Sequence, residues 1–473
     1  MELVRAHNRP FRSDWDYGAE DPKQDARGYR AKTLLQEKEE QEFERQDRHR
    51  PFSFREMKSD LMLGNGARFY NDHTHPEYST PECAALRDLV AYDRAGERIL
   101  LACSERRNRM LGVPEAVQIY KNNTDFHGHS YGCHDNYLLP RSVPFNDLVI
   151  YLLPFLVTRQ IFAGAGKIGV ENGSNYRTGR YQISQRADFI RVEVSIDTMH
   201  DRPIINTRDE PHADSSLYRR LHLILGDANM SEFATALKVG TTWMVLRLIE
   251  EGLAPKEAVI DRPVETLRAV SLDPTVRQPI RLADGREITP VDHQRLYLAA
   301  AKHAYSNEDE ESRWILNTWE SVLNDLADDS ARLADRLDWV AKKWLLETFM
   351  EAEGTDWSDP RLTSLDLEYH NINPSRGLFL GLEAEGKMHR LVDDELITRA
   401  MTEPPPDTRA GVRGLAVQRF LDQIDRIQWE KVSFRGKEKR SLYMDRLFDR
   451  EEIVRLMDKI KRSRNVEEIF RES

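Results

Sequence analysis

The sequence predicts an α+β fold. Strand-like alternation crowds the first half of the chain, and long helix-period segments fill the second half. That segregation argues against a repeating strand–helix–strand plan. The 473 residues allow two or three domains, or one large domain with a small appendage. An apolar share of 40% is ample for a sizeable core.

Residues 1–60 are polar, and 37–50 are almost wholly charged or Gln. That stretch reads as a solvated helix or loop, or as a partner-facing or gating loop. The run at 67–72 reads as a strand whose period of two puts Arg68, Tyr70 and Asp72 on one face. Ala67, Phe69 and Asn71 take the other. Glu77 is placed in the following turn. Ser79, three residues before Glu82, fits a capping box with Pro81 in the first turn, so a helix is expected over 82–107. Strands are expected at 116–121, 189–196, 203–206 and 220–226. Further helices are expected at 231–251, 291–304, 309–327 and 329–351, the first capped by Ser231 and ended by Gly252. No internal repeat is present. The proline run at 403–407 reads as a linker, giving a main domain over 1–400 and a small C-terminal domain over 401–473.

A net charge of -11 and a pI near 5.8 disfavour nucleic acid as partner. Cys83, Cys103 and Cys133 lack metal-ligand spacing, and an odd count without a framework fits a reducing compartment. The first residues lack the apolar core of a signal peptide. The longest apolar run, 148–157, is about half a bilayer span and contains Pro154. The expectation is a cytoplasmic protein with no membrane partner.

Chemistry-bearing residues gather in four places. The first is the 68–82 stretch. The second joins Tyr-Lys-Asn-Asn-Thr-Asp (120–125) to Ser-Tyr-Gly-Cys-His (130–134). The third is Ser-Gln-Arg-Ala-Asp (184–188), and the fourth spans 206–214 and the strand after it. In that strand Leu221, Leu223 and Leu225 share one face, which leaves His222 on the other as a candidate ligand. Taken singly, His134 and His222 read as structural histidines, Arg186 and Arg208 as surface or ion-pair residues, and Asp72 as a turn acid. His73 and His75 lack a third soft ligand for zinc. Carboxylates, a phenol and isolated imidazoles suit Mg²⁺ or Mn²⁺ better, and arginines complement phosphate. No GxxxxGK[ST] loop is present. A bound nucleotide would therefore be held by arginines and metal on a sheet face.

At these residues the chain resembles the Pup ligase/deamidase family of the bacterial pupylation system. The carrying motifs are Asn-Gly-Ala-Arg-Phe-Tyr (65–70), His-Pro-Glu-Tyr (75–78), the three motifs just quoted at 120–125, 130–134 and 184–188, and Pro-Ile-Ile-Asn-Thr-Arg-Asp-Glu-Pro-His-Ala-Asp (203–214). The resemblance implies a glutamine synthetase-like fold: a curved antiparallel sheet cradle backed by helices, with a small C-terminal domain. It implies ATP and Mg²⁺ as cofactors, and Pup and pupylated proteins of the bacterial proteasome pathway as partners. It makes Asp72 the catalytic carboxylate. Tyr70, Glu77, His134 and His222 become metal positions, and Arg68, Thr80, Arg186, Arg208 and Trp429 become ATP contacts. The charged insertion with Trp15-Asp16-Tyr17 and Asp25-Ala26-Arg27-Gly28 is closer to the deamidase/depupylase branch than to the ligase branch. So are the residues around Asp72 and those at 338–342. That branch hydrolyses the C-terminal Gln amide of Pup and the isopeptide bond of pupylated proteins, with ATP bound rather than consumed. The resemblance also implies a first strand carrying Gly-x-Glu-x-Glu, a motif not found ahead of residues 65–70 in this sequence. Two other readings stand beside the first: a Pup–protein ligase, and a non-catalytic Pup-binding protein.

Overall fold

A computed structural model describes residues 2–7, 15–17, 20–34, 60–72, 75–172, 175–198, 201–436, 440–447 and 449–471. The charged stretch at 37–50 lies outside the described residues, as does His73. The first sheet is antiparallel, in the order β1 (Asp60–Met62), β2 (Arg68–Asp72), β3 (His75–Ser79). Arg68 pairs with Ser79, Tyr70 with Glu77, and Asp72 with His75. Directly opposed residues project to the same side of a sheet. Arg68, Tyr70, Asp72, His75 and Glu77 therefore share one face, while Phe69 is buried on the other. Glu77 thus lies on a strand and not in the turn.

The expected capping box does not form. Ser79 stays in β3 through its pairing with Arg68. The helix α1 (Leu86–Leu111) starts later, with Ala85 at its cap and no side-chain capping bond. Glu311 accepts the Leu86 N–H at 2.8 Å instead. The Glu82 carboxylate is taken by Arg409 and Arg413, at 2.7 and 2.5 Å. A buried tertiary ion pair has displaced a local cap worth about 1 kcal/mol.

A second sheet holds the other half of the recess described below. Its members are β4 (Asp135–Pro140), β7 (Val192–Ser195), β8 (Pro203–Asn206) and β9 (Tyr218–Leu223), in the order β4-β9-β8-β7. The β7–β8 pair is parallel. The hairpin β5 (Lys167–Asn172) and β6 (Asn175–Gln182) precedes β7. Two small ladders complete the set: β10 (Ile280–Arg281) with β11 (Glu287–Ile288), and β12 (Ile424–Ile427), β13 (Lys431–Phe434), β14 (Arg440–Tyr443). The described residues therefore form five separate ladders where one curved antiparallel sheet was expected. The 116–121 segment joins none of them. Its pairing is a single Tyr120–Asn371 bridge, and Lys121 turns to Asp93 and Glu97 on α1 at 2.6 and 2.8 Å.

The helices behind these sheets include α2 (Phe145–Ala163), α3 (Glu232–Glu250), α4 (Pro290–Tyr305), α5 (Glu310–Asp328) and α6 (Asp338–Glu353). By length and composition α2 could cross a membrane, yet every residue from Leu153 to Ala163 is buried in the main core. Its first half is a π turn over Leu148–Leu152. Ser231 caps α3 as expected, accepting the Ala234 N–H at 3.1 Å. The helix expected over 329–351 splits into a 3₁₀ turn at Ser330–Leu333 and α6. The split lets the buried Asp338 carboxylate accept the N–H groups of Met230 and Ser231. A separate core joins α7 (Arg409–Phe420), β12–β14 and α8 (Arg450–Arg462) to Trp15 and Met62.

The first sheet sits on α1 through Gly96, where an added Cβ would fall 2.4 Å from the Tyr78 ring. That ring cannot retreat, because its hydroxyl accepts a 3.0 Å bond from Asn65. Gly96→Ala is expected to destabilise the chain by about 1–3 kcal/mol through overpacking. Urea unfolding measures the change, and an unchanged midpoint would show that the hairpin does not press on α1.

Candidate functional site

At about 3.4 Å per residue, Arg68 and Asp72 stand roughly 14 Å apart along β2. Arg68 marks the closed end. Its guanidinium pairs with Asp60 through two bonds of 3.0 and 2.8 Å. It is also sandwiched between Trp15 at 3.8 Å and Tyr70 at 4.0 Å. The Tyr17 hydroxyl donates to the same Asp60. Trp429 meets Trp15 edge to face at 5.4 Å, so it belongs to this end. Thr80 follows Ser79, the partner of Arg68, and lies here too. In the middle of the face the Tyr70 hydroxyl donates to Glu77. Burial first, and then Glu77, push that phenol well above its ordinary pKa.

The second sheet supplies imidazoles and arginines. His222 sits on the central strand β9, opposite Asn136 of β4 and Asn206 of β8. Its Nδ1 lies 2.8 Å from the Asn136 Oδ1 and 3.1 Å from Arg220. The His134 ring packs edge to face on it at 4.8 Å. Arg208 leaves the end of β8. It donates to Thr198 at 3.1 Å, while its Nε is buried with no hydrogen-bond partner among the described residues. Arg186 is 2% exposed and clamps Ser130, the Tyr131 carbonyl and the Ile224 carbonyl, at 2.6, 2.9 and 2.8 Å. Its Nε is likewise without a partner.

The electrostatics of this recess are one-sided. Desolvation, then Arg202, push the Arg186 pKa down to about 9. Desolvation, then Arg186, lower His134 to about 3, although its ring keeps solvent-accessible surface at the mouth. His222 and His212 are driven well below their ordinary values, by burial first and then by Arg220. Asp72 and Glu210 are among the acids that act on Arg208 from nearby. Uncompensated buried cations are costly, and a bound anion relieves the cost.

The residues present fit a polyphosphate, because the orphaned guanidinium nitrogens are donors without acceptors. Among the described residues no three His, Cys, Asp or Glu side chains converge as a metal cage. Tyr70 with Glu77 and His134 with His222 form two separate pairs. Of these, the Glu77 carboxylate is the oxygen donor of the kind Mg²⁺ takes, a cation that completes its shell with phosphate oxygens and water.

Several site residues escaped the sequence. Asp60 and Trp15 hold Arg68. Asp25 accepts from the Thr207 hydroxyl at 2.6 Å and bridges to Arg208 through its backbone. Arg220 lies beside His222, and its alternation with that histidine was a usable signal. His212 has a left-handed φ of 49°, strained for a non-glycine residue. Its place within the 203–214 motif was the only hint of a role.

Arginines with unpartnered donors beside the Asp72 carboxylate, carried on small sheets backed by helices, form an arrangement suited to a polyanion. The chain belongs to the Pup_ligase family (Pup-ligase protein), whose model matches residues 1–433. It is 47% identical over 425 residues to the depupylase of Acidothermus cellulolyticus, covering 89% of this chain and 82% of that one. It is 47% identical over 364 residues to a Pup–protein ligase of Acidimicrobium ferrooxidans, covering 75% of this chain and 79% of that one. The solved structure of the Pup ligase PafA in complex with ADP matches with a TM-score of 0.78 and 32% identity, over 92% of this chain and 96% of that one.

An imidazole whose folded pKa lies below its unfolded value takes up a proton more readily when the chain unfolds. His134 therefore contributes full stability above pH 6.5 and loses it as pH falls towards about 3. The gap in unfolding free energy between the parent and His134→Gln is expected to narrow across that window. Denaturant titrations at several pH values test this, and a gap that stays constant with pH would show that the ring is not desolvated.

Proposed function

We propose that the chain is a Pup deamidase/depupylase, hydrolysing the C-terminal Gln amide of Pup and the isopeptide bond of pupylated proteins. The observation that favours this branch is the extent of likeness. At equal identity the depupylase aligns over 89% of the chain and the ligase over 75%. The partners would be Pup and pupylated proteins of the cytoplasmic bacterial proteasome pathway. Residues 1–400 would form the catalytic domain, with 401–473 closing its nucleotide end.

The roughly 14 Å from Arg68 to Asp72 suits a ligand as long as a nucleoside triphosphate, laid along the hairpin face. Arg68, Thr80 and Trp429 would bracket its nucleoside end, and Arg186 and Arg208 would meet phosphate oxygens. Tyr70, Glu77, His134 and His222 would hold Mg²⁺ with those oxygens. When bound, ATP and Mg²⁺ supply fixed charge and Lewis acidity beside Asp72.

An amide carbonyl is a poor electrophile. Asp72, at the rim, either attacks it or takes the proton of an attacking water. Arg208, on which that carboxylate acts electrostatically, would stabilise the oxyanion that develops. Ammonia, or the lysine amine, then leaves with a proton drawn from water; where Asp72 has attacked, a further water cleaves the anhydride so formed and frees both carboxylates. A ligase is the second reading, favoured by the match to PafA with ADP. In it Asp72 would take the proton from the incoming lysine amine.

The test is incubation of the full chain with MgATP and Pup ending in Gln, followed by mass spectrometry. Conversion to Glu is expected, and Asp72→Asn should slow it by about 10²–10⁴-fold. Conjugates formed from Pup ending in Glu, without deamidation, would establish ligation instead. Pup binding with a rate indifferent to Asp72→Asn would reduce the protein to a binding module.

A further inference from the structure

Behind the Arg68 end of the recess lies a buried charge cluster built on Glu82, Arg409 and Arg413. Glu82, two residues beyond Thr80, points into α7. Arg413 on that helix has no exposed surface. It donates to Glu82 at 2.5 and 3.2 Å, to the Gly66 carbonyl at 2.8 Å and to the Trp429 carbonyl at 2.9 Å. Its guanidinium also lies 4.8 Å over the Trp429 ring. Arg409, one turn earlier, donates to Glu82 at 2.7 Å, to the His212 carbonyl at 2.5 Å and to the Met444 carbonyl at 3.3 Å. Although burial raises the Glu82 pKa, Arg413 and Arg409 hold it at about 2, so the carboxylate stays charged.

These contacts gather four segments that are far apart in sequence. Gly66 forms the turn into Arg68, and its Cβ position would fall 2.8 Å from the Ala410 carbonyl, so the turn lies directly on α7. Glu82 carries Thr80. His212, with its strained backbone, lies in the segment between Arg208 and Arg220. Trp429 closes the end against Trp15. A buried ion cluster is a poor source of stability compared with apolar packing, but it fixes geometry. Arginine suits that task because its planar fork serves several acceptors and stacks on a ring, which lysine cannot do together.

We infer that the Glu82–Arg409–Arg413 cluster positions the nucleotide end of the recess, with Arg413 as the positioning residue that sets Trp429 relative to Arg68 and Thr80. The inference rests on the nucleotide-binding reading of the site. Lysine at position 413 keeps the charge and loses the fork, so the Trp429 end should drift while the fold persists. A misplacement of about 1 Å by a change far from the chemistry can cost an enzyme about a hundredfold in rate.

The experiment compares Arg413→Lys with Arg94→Lys in the full chain. Arg94 is an equally buried arginine on α1, paired with Glu97 and Glu383 at 2.7 Å each, away from the recess. MgATP is titrated against each protein by calorimetry, and melting temperatures are recorded without it. Both variants should lose thermal stability. Arg413→Lys should weaken MgATP binding about tenfold or more, and Arg94→Lys by no more than about twofold. Equal MgATP affinity in Arg413→Lys and the parent, or equal losses in both variants, overturns the inference. Glu82→Gln, isosteric with the parent, gives the same reading if Arg413→Lys fails to fold. Failure of the parent to bind MgATP overturns the nucleotide reading and this inference with it. Binding by the parent that Arg413→Lys leaves unchanged overturns this inference alone.

Discussion

A shift of one residue between β2 and β3 would turn Arg68, Tyr70 and Asp72 into the core and Phe69 into solvent. Everything else in the recess depends on that register. It is held from the apolar side. Phe69 is fully buried, the Tyr78 ring presses on the bare backbone of Gly96, and Asn65 ties the Tyr78 hydroxyl to the Ala400 carbonyl. The polar face is therefore specified by what lies behind it, and its own side chains can be chosen for chemistry. Glu77 shows the result: opposite Tyr70 it becomes the phenol's acceptor, a role no turn position would give it.

The charges of this protein divide into two populations. Several buried cations are matched to carboxylates. Lys167 meets Glu171 and Asp188 at 3.0 and 2.7 Å, Lys342 meets Asp366 at 2.6 Å, and Arg159 meets Asp135 at 2.8 Å. Within the recess, burial first, and then Arg186 for His134 and Arg220 for His222, keep the imidazoles neutral, while Arg186 and Arg208 each retain an unused donor. Those two donors lie where a bound polyanion would supply acceptors. Binding of a polyanion then contributes to the stability of the whole chain by mass action.

Much of this was legible in the residues. The period of two across 68–72 survives unchanged in β2, and the cap at Ser231 survives in α3, because nothing distant competes with either. The Ser79–Glu82 box was equally well formed as a local pattern and failed, because Arg409 and Arg413 arrive from the far end of the chain. The β5–β6 hairpin escaped for a different reason. Its buried side carries Lys167 and Glu171, so it shows no apolar alternation to read. Asp60 and Trp15 escaped because their contacts with Arg68 are tertiary, and neither shows a period. Motif resemblance supplied the remaining site residues, which spacing alone could not have joined.

The Trp15 contact has a temporal side. It pairs with Ile427, sits in the same core as α7 and α8, and covers Arg68. Residues from opposite extremes of the chain must therefore meet before that core can close. Translation at about 5–20 residues per second leaves Trp15 without its partners for on the order of tens of seconds. During that interval the nascent chain presents an indole and an unfinished hairpin to the cell. Closure of that core thus waits until most of the chain has been synthesised.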